Sequence, residues 1–232
     1  MNPDIPLSIP DRLEAVRARI RAAEARFGRT PGSVRLLAVS KKQDVAAIRS
    51  ARDAGQLAFG ENYLQEALAK QAALGDPRLE WHFIGQIQSN KTRQIAEHFD
   101  WVHGLTTAHH AERLARQRPP SLPPLKVCLE INISGEATKG GVLPDQAATL
   151  LAACRRLPGL ELVGLMCLPA PALDEAAQRH PFRALRELRD RLASPGCPLP
   201  VLSMGMSDDL EAAVAEGATL VRVGTAIFGP RH

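Results

Sequence analysis

The feature that most constrains this chain is an alternation, kept from end to end, between short aliphatic runs and longer helical patterns. Val34–Ser40, Leu57–Gly60, Glu80–Ile84, Trp101–Leu105, Leu125–Ile133, Leu160–Leu168, Leu199–Met204 and Thr219–Val223 read as eight strands. Between them, Asp44–Ala54, Asn62–Leu74, Ser89–His98, Ala108–Arg118, Pro144–Leu157, Asp174–Ala193 and Ser207–Glu216 have the spacing of seven helices. Strands separated by helical crossovers run parallel, because a parallel pair needs a long return connection. Eight of them close into an α/β-class (β/α)8 TIM barrel, and 232 residues suit that fold as a single domain spanning 1–232. The architectural rival, an open doubly wound sheet, asks for a Gly-rich turn after its first strand. Here that strand runs into Ser40-Lys41-Lys42.

After the eighth strand only Gly224–His232 remain, too few for a full outer helix. Asp11–Phe27, with Leu13, Val16 and Ile20 at helical spacing, is predicted to cover that side. Hydrophobic residues make up 45% and aromatics 4%, so the core is built from Leu, Val, Ile and Ala, as layered barrel packing requires. Pro119–Pro124 is too short to be a hinge between separate cores.

The formal charge of +4 comes largely from arginines such as Arg12, Arg17, Arg19, Arg21 and Arg26, interspersed with acids as on solvated helix faces. No basic block with interleaved aromatics is present, so no nucleic-acid partner is expected. Cys128, Cys154, Cys167 and Cys197 are widely spaced and read as buried reduced thiols of a cytoplasmic protein. The seven histidines share no ligand spacing with acids or thiols, which argues against a metal. Met1–Pro10 has no secretory pattern, and no apolar run reaches membrane-spanning length, so no membrane partner is expected.

Active groups of such barrels sit at the carboxyl ends of the strands. Side chains alternate along a strand, so Leu37, Val39 and Lys41 share one face and Ala38, Ser40 and Lys42 the other. One lysine of the pair can therefore point into the mouth, and an amine there can serve as a Schiff-base nucleophile once its charge is disfavoured. A solvated strand end is the plainer reading of the dipeptide alone. The second signal lies near the C-terminus. Ser203-Met204-Gly205-Met206-Ser207-Asp208-Asp209 closes strand seven and opens a helix with Ser207 at its N-cap, and Gly224-Thr225 follows strand eight. Loops after strands seven and eight are the usual phosphate site of these barrels, so the two segments read as a phosphate cup. Ser207 as an ordinary cap is the alternative. Arg222 lies two residues before Gly224 and faces the same mouth. An amine, a phosphate cup and a cation between them suit pyridoxal 5′-phosphate, with Arg222 keeping the ring nitrogen unprotonated.

Leu37-Ala-Val-Ser-Lys41, Phe59-Gly-Glu-Asn-Tyr63, His82-Phe-Ile-Gly85, Gln88-Ser-Asn-Lys91, Gly164-Leu-Met166, Ser203–Asp209 and Val221–Gly229 resemble, in the same order, motifs of the pyridoxal phosphate homeostasis protein family. The resemblance implies an alanine-racemase-like barrel with the cofactor on Lys41 as an aldimine. It implies phosphate contacts from Ser203, Gly205, Met206, Ser207, Gly224 and Thr225, with Arg222 at the ring nitrogen and Val39, Asn62, His82 and Met166 lining the ring. Lys139, in Gly135-Glu-Ala-Thr-Lys139-Gly-Gly141, corresponds to a further family lysine and is a candidate relay for cofactor release. Where the family commonly carries a second lysine followed by proline, this chain has Gln43-Asp44, so a relay at that position is not expected.

The resemblance further implies a cofactor carrier, with apo-enzymes as recipients. An amino-acid racemase or decarboxylase, and a cofactor-free lysine aldolase, are the competing classes. A racemase needs acid–base groups on both faces of the substrate carbon, and related barrel enzymes take one from an extra C-terminal domain. This chain stops at His232 and its sole tyrosine, Tyr63, begins a helix after strand two, which favours a monomeric carrier without turnover.

Overall fold

The computed structural model describes residues 7–136 and 139–229; the last residues of the Gly224–His232 tail and most of Met1–Pro10 lie outside them. Eight parallel strands close into one barrel in chain order. They are β1 (Arg35–Val39), β2 (Ala58–Glu61), β3 (Glu80–Phe83), β4 (Trp101–Leu105), β5 (Leu125–Glu130), β6 (Leu160–Met166), β7 (Val201–Ser203) and β8 (Leu220–Val223). The expected (β/α)8 barrel is the observed fold. Closure comes from β1 against β8, with Leu37 opposite Arg222 and Ala38 opposite Val223. That pairing brings the first and last strands side by side at the mouth.

Outside the barrel lie α1 (Ile9–Arg26), α2 (Val45–Asp53), α3 (Leu64–Leu74), α4 (Thr92–His98), α5 (Ala108–Gln117), α6 (Ala147–Cys154), α7 (Glu175–Leu192), α8 (Leu210–Ala215) and the single turn α9 (Thr225–Phe228). Helix α1 is started by a reciprocal cap: the Ser8 hydroxyl accepts from the Asp11 amide while the Asp11 carboxylate accepts from the Ser8 amide. Its buried Leu13, Val16 and Ile20 pack toward α8, α9 and α2, so the N-terminal helix covers the barrel beside β8, as expected. Asp44, Thr107 and Asp174 cap α2, α5 and α7 in the same chemistry, each accepting a backbone N–H three residues on.

The period of two is visible in the packing. Phe59, Trp81, Phe83, Val102, Leu125, Val127, Leu129, Leu202 and Val221 face outward into the layer between strands and helices. The barrel interior holds an apolar cluster of Leu37, Ala58 and Leu220 and a second of Trp101, Cys128, Val163 and Met166. All four cysteines are unpaired and buried, and burial pushes the Cys128, Cys154 and Cys167 thiols up to about 12.

The strand ends differ from the sequence reading where turn chemistry intervenes. β7 begins at Val201, not Leu199, because Leu199 takes a left-handed φ of 46° and Pro200 has no N–H to give a ladder. β5 ends at Glu130 and β6 at Met166, each earlier than expected. The largest change concerns α8. It begins at Leu210 with Asp209 as its N-cap residue, so Ser207 is not the cap. Residues Ser207–Asp209 form a turn instead, closed by the Met206 amide donating to Asp209 Oδ1 at 2.6 Å.

Candidate functional site

At the carboxyl end of the barrel the strands open onto a cavity of about 420 Å³. β1 delivers Val39 and Lys41, the loops after β2 and β3 deliver Asn62 and Ile84, and β6 delivers Met166 with Leu168 beyond it. Met206, Ser207 and Asp208 close it from the turn after β7, and Arg222, Gly224, Thr225 and Ala226 from β8 and α9. Nine residues singled out in the sequence therefore meet at one cavity: Val39, Lys41, Asn62, Met166, Met206, Ser207, Arg222, Gly224 and Thr225.

The other four do not line it. Gly205 is buried behind the turn, with φ of 93° and a position where a Cβ would stand 2.5 Å from that of Ala213. Its glycine identity serves the tight turn and the seating of α8. Ser203 and His82 are fully buried inside the barrel, beneath the cavity. Lys139 lies in the loop after β5, partly buried, where its carbonyl accepts from Asn132 Nδ2 at 3.3 Å.

Lys41 is positioned by residues the sequence did not single out. Lys70 on α3, 4% exposed, donates to the Ser40 carbonyl at 2.7 Å, to Glu61 Oε1 at 2.8 Å and to Glu66 Oε1 at 2.6 Å. Glu66 Oε1 also accepts from the Lys42 amide at 2.5 Å, and Lys42 takes a left-handed φ of 60°. The peptides on both sides of Lys41 are thus pinned through one buried ammonium, and the chain turns sharply just past it. Glu61, fully buried, also accepts from the Ser40 hydroxyl at 2.6 Å; burial raises its carboxyl above the ordinary range against the pull of Lys70 and Ser40.

Arg222 is 5% exposed and held on three sides. Nη1 donates to the Ser203 carbonyl at 2.6 Å and the Ser203 hydroxyl at 2.8 Å, and Nη2 to the Cys167 carbonyl at 2.9 Å. Of the five N–H groups of a guanidinium, three are so committed and two are not, and Arg222 lines the cavity. Gly224 keeps the neighbouring backbone close: a Cβ there would stand 3.1 Å from the Val39 carbonyl oxygen.

Sequence reasoning also missed Arg19, one of the arginines read as solvated. It reaches from α1 to the cavity wall, where Nη2 donates to the Ser207 carbonyl at 3.0 Å and the guanidinium pairs with Glu211 at 2.8 Å. The signal available was its place on the helix predicted to cover β8. Among the described residues no group of three or more metal-type ligands converges, and no helix is long and apolar enough to cross a membrane.

The fold with this mouth belongs to a recognisable class: the family model described as alanine racemase, N-terminal domain, matches residues 12–232. The alanine racemase of Corynebacterium glutamicum superposes with a TM-score of 0.70 at 19% identity, covering 94% of this chain and 62% of that one, a likeness of fold. The pyridoxal phosphate homeostasis protein of Pseudomonas aeruginosa is 56% identical over 224 residues, 97% of this chain and 96% of its own. PipY of Synechococcus elongatus is 40% identical, covering 96% of this chain and all of its own, with a TM-score of 0.84 for its structure without PLP and 0.82 for that with PLP bound. The chain belongs to the pyridoxal phosphate homeostasis protein family.

Proposed function

We propose that this protein binds pyridoxal 5′-phosphate at the barrel mouth, held covalently by the Lys41 amine. It acts as a cytoplasmic, monomeric, single-domain carrier and buffer in vitamin B6 and amino-acid homeostasis, from which apo-enzymes draw the cofactor. The observation that carries this reading is convergence on one cavity: an amine on β1, hydroxyls of Ser207 and Thr225 in the two turns beside it, and an arginine with uncommitted donors between them. This donor set fits the cofactor's aldehyde, phosphate and ring nitrogen respectively. Bound there, the cofactor supplies an electrophilic carbonyl and an electron-withdrawing ring.

The residues then divide the work. Lys41 supplies the nucleophile, with its peptide neighbours fixed by Lys70 and Glu66. Ser207 and Thr225 offer hydroxyl donors to the phosphate, and Arg19 holds the Ser207 turn in place. Val39, Asn62 and Met166 wall the ring, excluding water from its face. Arg222, a permanent donor, keeps the ring nitrogen an acceptor, which weakens its use as an electron sink and favours storage over turnover. The name carried by the relatives and the PLP-bound structure of PipY support the same reading. Tyr63, half-exposed at the start of α3, stands apart from the cavity and so offers no second acid–base group there.

The function is tested by titrating the purified protein with pyridoxal 5′-phosphate and then screening the loaded protein against D- and L-amino acids. Stoichiometric uptake without turnover above that of free cofactor is expected. Sustained racemisation or decarboxylation would move the protein to the enzyme class, and a colourless protein that refuses the cofactor would remove the reading altogether.

A further inference from the structure

Below the cavity, Arg222 is one end of a hydrogen-bonded chain through the barrel interior. The Ser203 hydroxyl, which accepts from Arg222, lies 2.8 Å from His103 Nδ1. His103 Nε2 lies 2.9 Å from His82 Nδ1, and His82 Nε2 lies 2.6 Å from Glu80 Oε1. Arg35 on β1 closes the far end, donating to the same Glu80 oxygen at 2.8 Å. Ser203, His103 and His82 are 0% exposed, whereas the Glu80 and Arg35 side chains are 28% and 51% exposed at the barrel floor. His82 also stacks on Trp101, with ring centroids 5.0 Å apart.

The ends of this chain dictate its protons. A guanidinium only donates and a carboxylate only accepts. Glu80 can only accept, so the proton of a neutral His82 sits on Nε2 and its Nδ1 is left to accept from His103 Nε2–H. The proton of a neutral His103 then also sits on Nε2, and its Nδ1 accepts from the Ser203 hydroxyl, whose oxygen accepts from Arg222. The opposite tautomers would set the His82 Nε2 lone pair against the carboxylate. Charging either ring would place two donors in a slot built for one. Glu80 and Asp100 draw His82 toward protonation while Arg35 opposes it, and Arg35, Arg222 and His82 itself oppose protonation of His103; burial dominates at both rings and holds both neutral.

We infer that Glu80, His82 and His103 are positioning residues for Arg222. The charge at the barrel floor orients both imidazoles and, through them, the Ser203 hydroxyl, and so sets the direction in which the guanidinium's remaining donors face the cavity. His82, assigned to the ring wall by family resemblance, acts on this account from beneath it. The consequence for the bound cofactor rests on the pyridoxal phosphate reading above; the proton arrangement does not.

Two measurements test it. Imidazole nitrogen NMR on the cofactor-free protein is expected to show His82 and His103 as neutral Nε2–H tautomers at about pH 8, both titrating below a free imidazole. An Nδ1–H form, or titration of either ring at or above the pH of a free imidazole, overturns the chain. In the loaded protein, Glu80→Gln removes the floor charge without touching the cavity. It is expected to shift the pH midpoint of the visible absorbance and weaken cofactor binding by roughly tenfold, the scale of one charged hydrogen bond. Ser203→Ala cuts the chain, so adding Glu80→Gln to it should produce no further shift. Equal shifts with and without Ser203, or no shift at all, would overturn transmission to Arg222. If the wild-type protein takes up no cofactor, the pyridoxal phosphate reading fails and the tautomers alone decide the chain.

Discussion

At the scale of the residue, two clusters of buried polar groups lie next to the cavity, one under Lys41 and one under Arg222. Both are costly unless every donor meets an acceptor. The histidine pair has a measurable signature. In the unfolded chain both rings take up a proton near pH 6.5, whereas the folded barrel holds both pKa values down, His103 furthest. The unfolded state therefore binds more protons, and stability falls as pH drops below about 6.5 while staying level above it. The urea midpoint should decline between about pH 7 and pH 5, with His103 contributing more than His82. In a His82→Leu/His103→Leu variant most of that decline should vanish; a wild-type midpoint flat over the range would contradict buried neutral rings. The family resemblance put His82 on the ring wall, and strand alternation, which allows an inward face for both histidines, carries no information on depth. Ser203, a phosphate contact by the family resemblance, is fully buried beneath the cavity with its hydroxyl committed to His103 and Arg222.

At the scale of the element, helix α3 does more than cover β2 and β3. Its Lys70 reaches over the strand ends and fixes the Ser40 carbonyl, so the docking of one helix sets the position of the proposed nucleophile. Replacing Lys70 with Met strands the fully buried Glu61 and should destabilise the protein by about 3–5 kcal/mol at neutral pH. The loss should shrink as the pH is lowered and Glu61, already raised by burial, takes a proton. Adding Glu61→Gln should recover part of it, as read by thermal unfolding. Equal stability of Lys70→Met and wild type would mean that the ion pair holds nothing. This cluster was not legible in the sequence, because Lys70 lies 30 residues from Ser40 and reads as an ordinary surface position of an amphipathic helix. Helix starts were legible at Asp44 and Asp174, whose side chains cap α2 and α7, whereas α1 starts behind Ser8 at Ile9, ahead of the expected Asp11. The start of α8 was misplaced because Ser207 and Asp209 both suit a cap, and the turn closed by Asp209 decides between them.

At the scale of the molecule, a closed barrel brings together what the sequence separates most widely. Lys41 near one end and Arg222, Gly224 and Thr225 near the other line one cavity because β1 pairs with β8. That adjacency could be anticipated from strand count alone, since eight parallel strands leave no edge. The role of α1 was half legible: its apolar stripe predicted where it packs, while Arg19 on its other side looked like solvent-facing charge until the turn carrying Ser207 came within reach. The mouth is proposed to hold pyridoxal phosphate through Lys41 and through no other amine. Borohydride reduction of the cofactor-loaded protein, followed by peptide mapping, identifies the amine that carries it. The reduced adduct is expected on Lys41, and is expected to be lost in a Lys41→Ala variant that keeps the wild-type fold by circular dichroism. An adduct on Lys42 or Lys139, or one that persists in that variant, would contradict it.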